Sequence, residues 1–324
     1  MQNIEAYQNL FTDYLNNTVV NKEPNNLYEP VDYILNLGGK RLRPVLTLMA
    51  SEVFGAEAKI ALDAALAIEV FHNFTLVHDD IMDDAPIRRG KETVHEKWDL
   101  NTGILSGDAM LIMAYQFFEN YESKVFKALI ALFSKTALEV CEGQQYDIDF
   151  ETRNDVTIPE YLKMIEYKTA VLVGAAMQMG AIIADTDHKN QQAIYDFGRY
   201  LGIAFQLQDD YLDAFGNPET FGKQVGGDII ENKKTYLYLK TLELGDQNQQ
   251  SALVDAMNNS DIKDDEKVTR VKSLFIDSGA SDATQKAVKN YTDKAFEVLG
   301  TLSITDDKKQ VLRLFGEQLM NRRV

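Results

Sequence analysis

The chain has 324 residues, 45% of them hydrophobic and 26% charged, a globular composition that argues against disorder along most of its length. Its 33 basic and 50 acidic residues leave a formal net charge of −17, the wrong sign for a general nucleic-acid binder, so an anionic substrate would need locally gathered cations. The single cysteine, Cys141, excludes a disulfide framework and a thiolate zinc site, and it suits a reducing cytoplasm.

Met1 to Asn9 carry neither a basic cluster nor an apolar stretch, so no secretory signal is expected there. With only 6 prolines, long uninterrupted helices are permitted, and apolar residues recur at helical spacing almost throughout while strand-like alternation is scarce. The expected class is all-α. Helices are predicted over Pro44 to Phe54, Ala56 to Asp84, Gly107 to Asn120, Val125 to Cys141, Ile158 to Ile183, Gln191 to Ala214 and Lys234 to Leu244. The second of these is apolar on nearly every face, as a helix at the centre of a bundle would be. Between Gly245 and Asp282 polar residues dominate, and surface helices with little chemistry are expected. No linker interrupts the series, so residues 1–324 read as one large domain. The longest uncharged apolar stretch, Ala170 to Ala184, includes Gln178 and two glycines and falls short of the roughly 20 residues of a spanning helix, so no membrane span is expected.

Two acidic clusters echo each other, DDIMD at 79–83 and DDYLD at 209–213. Asp79 and Asp83 are four residues apart and share a helix face, whereas Asp80 points about 100° away. Pro86 disfavours helix beyond Ala85, which puts these acids in the last turns. There the macrodipole disfavours each by about 0.3 to 1 kcal/mol, besides their mutual repulsion. A solvated acidic helix end would explain one cluster; its repetition before Gly216 and Pro218 points instead to divalent cations. Oxygen donors without a histidine pair or thiol favour a hard ion, and Mg²⁺ commonly bridges carboxylates to substrate phosphates. Neither segment has the alternating ligands and central glycine of an EF-hand.

Cations accompany these acids. Gly38, Gly39, Lys40, Arg41, Leu42, Arg43 and Pro44 set a glycine pair and three basic residues before a proline suited to open a helix, a natural phosphate site unless the glycines merely end the preceding helix. Arg88 and Arg89 closely follow the first acidic cluster.

GGKRLRP at 38–44, DDIMD followed by RRG at 88–90, YKT at 167–169, FQLQDDYLD at 205–213, GGDI at 226–229 and NKKT at 232–235 together resemble the trans-isoprenyl diphosphate synthases of the polyprenyl synthetase family, in order and in spacing. That resemblance implies a single polyprenyl synthetase domain, an all-α helical bundle around a central cavity (the isoprenoid synthase fold), and a homodimer. It also implies that isopentenyl diphosphate is joined to an allylic diphosphate with Mg²⁺. By the same resemblance Asp79, Asp83 and Asp209 are the metal ligands and, with Lys168, the catalytic set. Asp80, Asp210 and Asp213 would be outer ligands or hold metal waters. Arg88, Lys168, Thr169, Gln206, Lys223 and Lys233 fall where the family contacts the allylic diphosphate, and Lys40, Arg43, His72 and Arg89 where it holds isopentenyl diphosphate. His72 could equally be a core histidine, and Lys168 and Thr169 could merely cap a helix. Gln144 and Asp147 resemble a segment near the metals but stay outside this set, and the basic tail Asn321 to Val324 could close over the site or simply fray.

The resemblance also offers a chain-length ruler. Thr75 lies four residues before Asp79, about 6 Å along the same face, and Phe74 one residue further. In relatives a single aromatic at the position of Phe74 goes with geranylgeranyl (C20) product, bulk at both positions with farnesyl (C15). The C20 product is therefore the expectation, with C15 the alternative. A terpene cyclase fits less well, because GGKRLRP is present and the second cluster reads DDYLD. A noncatalytic subunit of a heteromeric synthase fits less well, because both aspartate clusters are intact.

Overall fold

The computed structural model describes residues 3–20, 22–216, 225–259 and 261–320, and its class is all-α. The helices in chain order are α1 (Ile4–Thr18), α2 (Asn25–Asn36), α3 (Leu42–Val53), α4 (Leu62–Met82), α5 (Val94–Lys97), α6 (Leu100–Gln116), α7 (Ser123–Thr152), α8 (Ile158–Ile165), α9 (Val171–Ile183) and α10 (His188–Phe215). They continue as α11 (Gly227–Ile230), α12 (Tyr236–Leu244), α13 (Gln247–Asn258), α14 (Asp264–Asp277), α15 (Ala280–Thr301) and α16 (Asp306–Met320). The chain divides into two compact units, Met1–Lys135 with Ala175–Ile194, and Thr136–Gly174 with Tyr195–Val324.

In the first unit α4 is the core helix. Ala64 to Ile68 and Val70 to Phe71 are fully buried, as expected of a helix apolar on all sides. Phe71 and Phe118 each bring a ring within 5.1 Å of that of Phe133. By length and composition Ala58–Met82 could cross a membrane, but 72% of its apolar window is buried inside the protein, so this apolarity belongs to the core. At Gly180 of α9 an added Cβ would stand 2.3 Å from the Thr47 carbonyl oxygen, so α9 and α3 touch backbone to backbone.

In the second unit Phe150, Tyr161, Ile165, Leu207 and Leu237 share a core with Leu253, Ala256, Met257, Val271 and Phe275. The polar region after Gly245 thus forms helices, as read from the sequence, but each inserts an apolar stripe into this core.

Several boundaries differ from expectation for local reasons. Helix α6 begins at Leu100, seven residues before Gly107, because Asp99 caps it by accepting the Thr102 N–H at 2.9 Å, and Gly103 and Gly107 are packing positions rather than breakers. Helix α7 runs to Thr152 and carries the EGQQYD segment in its interior. The stretch expected as one helix over 158–183 is interrupted by a π-helical turn at Glu166–Ala170. A small hairpin also appears, Ile87–Arg88 against Lys91–Glu92. Its two-residue loop, Arg89 and Gly90, has φ of 52° and 74°, the positive pair that a tight hairpin of this twist requires.

Candidate active site

The first aspartate cluster closes α4. The Asp83 N–H donates to the Asp79 carbonyl at 2.9 Å, and Asp84, with φ of 50°, turns the chain toward the hairpin. Asp79 is partly exposed and Asp83 exposed, while Asp80 is only 1% exposed. Arg88 explains that burial. Its Nε donates to both Asp80 oxygens at 2.8 Å, its second terminal nitrogen stands 2.6 Å from Oδ1, and the same nitrogen reaches within 3.9 Å of Asp79. Burial raises the Asp80 carboxyl above its usual range despite Arg88, and the aspartates raise Arg88 although burial opposes them. Asp80 therefore aims Arg88 along the acidic helix end.

A cationic cradle lies on the same helix and the loop before α3. Arg41, left-handed at φ of 48°, is buried and bonds Glu69 of α4 at 2.7 Å and the Leu35 carbonyl. It anchors the GGKRLRP loop, leaving Lys40 exposed and Arg43 turned inward. Burial pulls Arg43 down to about 10, Glu69 opposing and Arg89 adding to the effect, and its Nε has no hydrogen-bond partner among the described residues. Arg89 donates to the Gly38 carbonyl, and Gly39, at φ of 123°, holds a backbone conformation that an L side chain would strain. Burial, then the charges of Arg43, Arg89, Arg88 and Arg41, hold His72 well below its ordinary value. A neutral His72 offers one N–H among guanidinium groups, a set suited to an oxyanion.

Phe74 is 8% exposed and packs its ring 5.5 Å from Phe71 and 4.8 Å from the His78 ring, while the Thr75 hydroxyl turns back to the His72 carbonyl at 2.8 Å. The aromatic side chain thus belongs to a cluster of rings in tilted and edge-on contact on α4.

In the second unit Lys168 and Thr169 lie in the π turn, a geometry frequent at functional sites. The Lys168 ammonium bonds the Asp147 carboxylate of α7, and the Thr169 hydroxyl donates to Gln206 Oε1 at 3.3 Å. Gln206 in turn donates to Asp210 at 3.1 Å, and the Tyr161 hydroxyl donates to the other Asp210 oxygen. Burial, with the charge of Asp228 and, behind opposing hydrogen bonds from Tyr161 and Gln206, that of Asp209, pushes the Asp210 carboxyl up to about 8. Asp213 accepts the Asp228 N–H at 3.0 Å, and its carbonyl accepts the Gly226 N–H at 2.7 Å, so the third aspartate of the second cluster fastens the GGDI turn. Lys233 stands 2.7 Å from Glu231 and 3.5 Å from Asp228; burial opposes its charge, but these two acids raise it above its ordinary value.

The sequence-derived residues thus fall into two groups. Asp79, Asp83, Arg88, Arg89, Lys40, Arg43, His72, Phe74 and Thr75 are in the first unit, and Lys168, Thr169, Gln206, Asp209 and Lys233 in the second. Lys223 and the tail Asn321 to Val324 lie outside the described residues. Among those described, a closely converging group of three metal-ligating side chains is Asp84, His95 and Glu96, which includes none of the three expected ligands.

Four supporting residues escaped the sequence reading. Glu69 pairs with Arg41; a lone acid inside an apolar helix was its signal. Gly143 lets α7 touch the π turn: a Cβ there would stand 2.2 Å from the Lys168 nitrogen. Gly202 of α10 does the same from another side, 2.7 Å from the Ala170 Cα. Lys267, buried in a helix read as surface, donates to the Asn232 side chain at 2.6 Å and to the Ile230 carbonyl at 3.3 Å, holding the turn before Lys233.

The chain is similar to known proteins over nearly its whole length. A solved geranylgeranyl pyrophosphate synthase is 57% identical to the chain, with a TM-score of 0.96 and complete coverage of both. The geranylgeranyl diphosphate synthase of Methanosarcina mazei is 36% identical over 293 residues, 90% of this chain and 88% of its own. The geranylfarnesyl diphosphate synthase of Natronomonas pharaonis is also 36% identical, over 319 residues, 93% and 91% of the two chains. The two curated relatives of equal identity carry different product names, while the more similar solved structure is a geranylgeranyl pyrophosphate synthase. A sequence profile of the polyprenyl synthetase family spans residues 24–275, from before the arginine-anchored glycine loop to beyond the turn that Asp213 fastens, and the chain belongs to that family of trans-isoprenyl diphosphate synthases.

Proposed function

We propose that the chain is a Mg²⁺-dependent trans-prenyltransferase that condenses isopentenyl diphosphate head-to-tail with allylic diphosphates and releases geranylgeranyl diphosphate. The family is metal-dependent and takes these two substrate classes. The observation that carries the reading is the gathering of Arg43, Arg88 and Arg89 around His72, on the helix that ends in Asp79 and Asp83. In a chain of net charge −17, so local a concentration of guanidinium groups calls for a diphosphate.

Asp79, Asp83 and Asp209 offer carboxylate oxygens only, which fits a hard ion that keeps much of its water. When bound, Mg²⁺ neutralises charge developing on the allylic diphosphate. Lys168, Thr169, Gln206, Lys233, Lys223 and Arg88 bind that diphosphate, the π turn and Asp80 fixing Lys168, Thr169 and Arg88 before substrate arrives. Lys40, Arg43, His72 and Arg89 hold isopentenyl diphosphate, His72 as a neutral donor that adds no charge to be desolvated. The allylic carbon–oxygen bond breaks, the isopentenyl double bond attacks the freed carbon, and the proton lost from the adduct passes to the departed diphosphate. No side-chain nucleophile takes part. Phe74, packed against the rings of Phe71 and His78, stops the growing chain at C20, whereas bulk at Thr75 as well would favour C15.

The same reading takes residues 1–324 as one polyprenyl synthetase domain acting in the cytoplasm as a homodimer. Supporting the dimer, α6 exposes Leu100 (53%), Leu105 (59%) and Ile112 (58%), more large apolar surface than one helix of a monomer usually leaves in water. Incubation with Mg²⁺, labelled isopentenyl diphosphate and dimethylallyl diphosphate tests the function. Metal-dependent formation of geranylgeranyl diphosphate is expected; a cyclised hydrocarbon, or no condensation with any allylic primer, overturns the reading in favour of a cyclase or a noncatalytic subunit.

A further inference from the structure

We propose that Asp84, His95 and Glu96 form a second divalent-cation site, one that prefers Zn²⁺ to Mg²⁺, at the base of the hairpin that carries Arg88 and Arg89. One nitrogen of His95 and one carboxylate oxygen from each acid lie within 4.8 Å of one another. Ligands about 2.0 to 2.2 Å from a common ion stand roughly 3 to 4 Å apart, so the set must contract by less than the reach of one rotamer change. Asp84 and Glu96 are exposed and free to make that adjustment.

His95 supplies an independent indication of a ligand. Its side chain is only 9% exposed, yet neither ring nitrogen has a hydrogen-bond partner among the described residues. Its Nε2 stands 3.7 Å from Glu96 Oε1, beyond a hydrogen bond but consistent with two ligands flanking one ion. A buried imidazole without a partner on either side is uncommon, and the nearest charged groups are carboxylates, which suits a cation. The scaffold is already tied. The Thr93 hydroxyl donates to the Ala85 carbonyl at 2.8 Å and its N–H to the Pro86 carbonyl at 3.1 Å, fixing the segment after Asp84 against the start of α5.

The donor set decides the ion. Zn²⁺ takes both imidazole nitrogen and carboxylate oxygen, so one imidazole beside two carboxylates suits it, while Mg²⁺ prefers oxygen donors and gives up its water reluctantly. This site is chemically distinct from the all-carboxylate set of Asp79, Asp83 and Asp209. An ion there would cross-link the residue next to Asp83 to α5 and stiffen the hairpin between them.

The test is calorimetric titration of the full chain with Zn²⁺ under saturating Mg²⁺, which fills sites built from oxygen alone. One Zn²⁺ per chain is expected, bound at least tenfold more weakly by Asp84→Asn and by Glu96→Gln, and unchanged in Asp79→Asn. Both weakening variants alter exposed side chains, and asparagine tolerates the left-handed backbone of Asp84. Amide hydrogen exchange across residues 85–93 should slow on adding Zn²⁺. No Zn²⁺ uptake in the presence of Mg²⁺, affinity in both variants equal to that of the parent chain, or binding that is lost only in Asp79→Asn overturns the proposal.

Discussion

Replacing Gly143 by alanine isolates the contact that shapes the π turn. The new Cβ would stand 2.2 Å from the Lys168 nitrogen, 2.6 Å from the Tyr167 carbonyl carbon and 2.7 Å from the Lys168 Cα, all backbone atoms that no rotamer change can clear. Ordinary contact begins near 3.4 Å, so α7 and the turn must part by about 1.2 Å. Asp147 lies one helical turn beyond Gly143 on the same face, so this displacement also pulls the carboxylate from the Lys168 ammonium and shifts Thr169 from Gln206. Overpacking of this kind costs about 1–3 kcal/mol, partly offset by up to about 1 kcal/mol of helix propensity. The functional loss should be larger, because misplacing a positioning group by about 1 Å can cost on the order of 100-fold in rate. Steady-state incorporation of labelled isopentenyl diphosphate, beside thermal unfolding, separates the two effects. Turnover about 100-fold down with a folded protein is expected. Gly300→Ala, where a Cβ meets nothing within 4 Å, is the control and should keep full activity. Gly143→Ala with near-normal kcat would refute the argument.

Other perturbations probe other parts of the site. Arg41→Ala leaves Glu69 buried without its partner and should destabilise by about 3–5 kcal/mol, whereas the apolar pair Arg41→Met with Glu69→Leu should recover most of that loss in denaturant unfolding; failure of the double variant to recover stability would contradict the pairing. His72 is held neutral when folded but titrates near 6.5 when unfolded, so the unfolded chain binds the extra proton and stability must fall as pH drops below about 6.5. His72→Gln should flatten that limb of the unfolding profile, and an unchanged slope would count against it. Phe74→Ala should lengthen the product, read by chromatography of the hydrolysed prenyl alcohols; an unaltered length would reject Phe74 as the stop.

Much of the candidate site is legible because it is written in local spacing. The i, i+4 placement of Asp79 and Asp83, the breaker Pro86 and the repeat at 209–213 depend on neighbours in the chain and on helix geometry alone. The all-α class follows from apolar periodicity in the same way. Other roles arose where distant segments meet. Asp210 has its Tyr161 partner 49 residues away, Lys168 its Asp147 partner 21 away, and Arg41 its Glu69 partner 28 away. The sequence marked Asp80, Asp210 and Asp213 as acids around a metal, and the structure gives their oxygens to Arg88, to Tyr161 and Gln206, and to the Asp228 N–H.

By itself, then, the sequence determined that acids and cations cluster at helix ends in a helical protein, since helix periodicity, capping and breakers act over a few residues. Only the tertiary structure decided which basic groups are tied into the fold. Arg41 is consumed by a buried acid, and Lys234 caps α7 through the Phe150 and Glu151 carbonyls at 2.8 and 2.9 Å. The tertiary structure also decided that Lys168 and Thr169 sit in a π turn, because only the close approach of Gly143 and Gly202 leaves room for one. Such roles depend on which helix faces touch, and burial then fixes the charge state of each group those faces enclose.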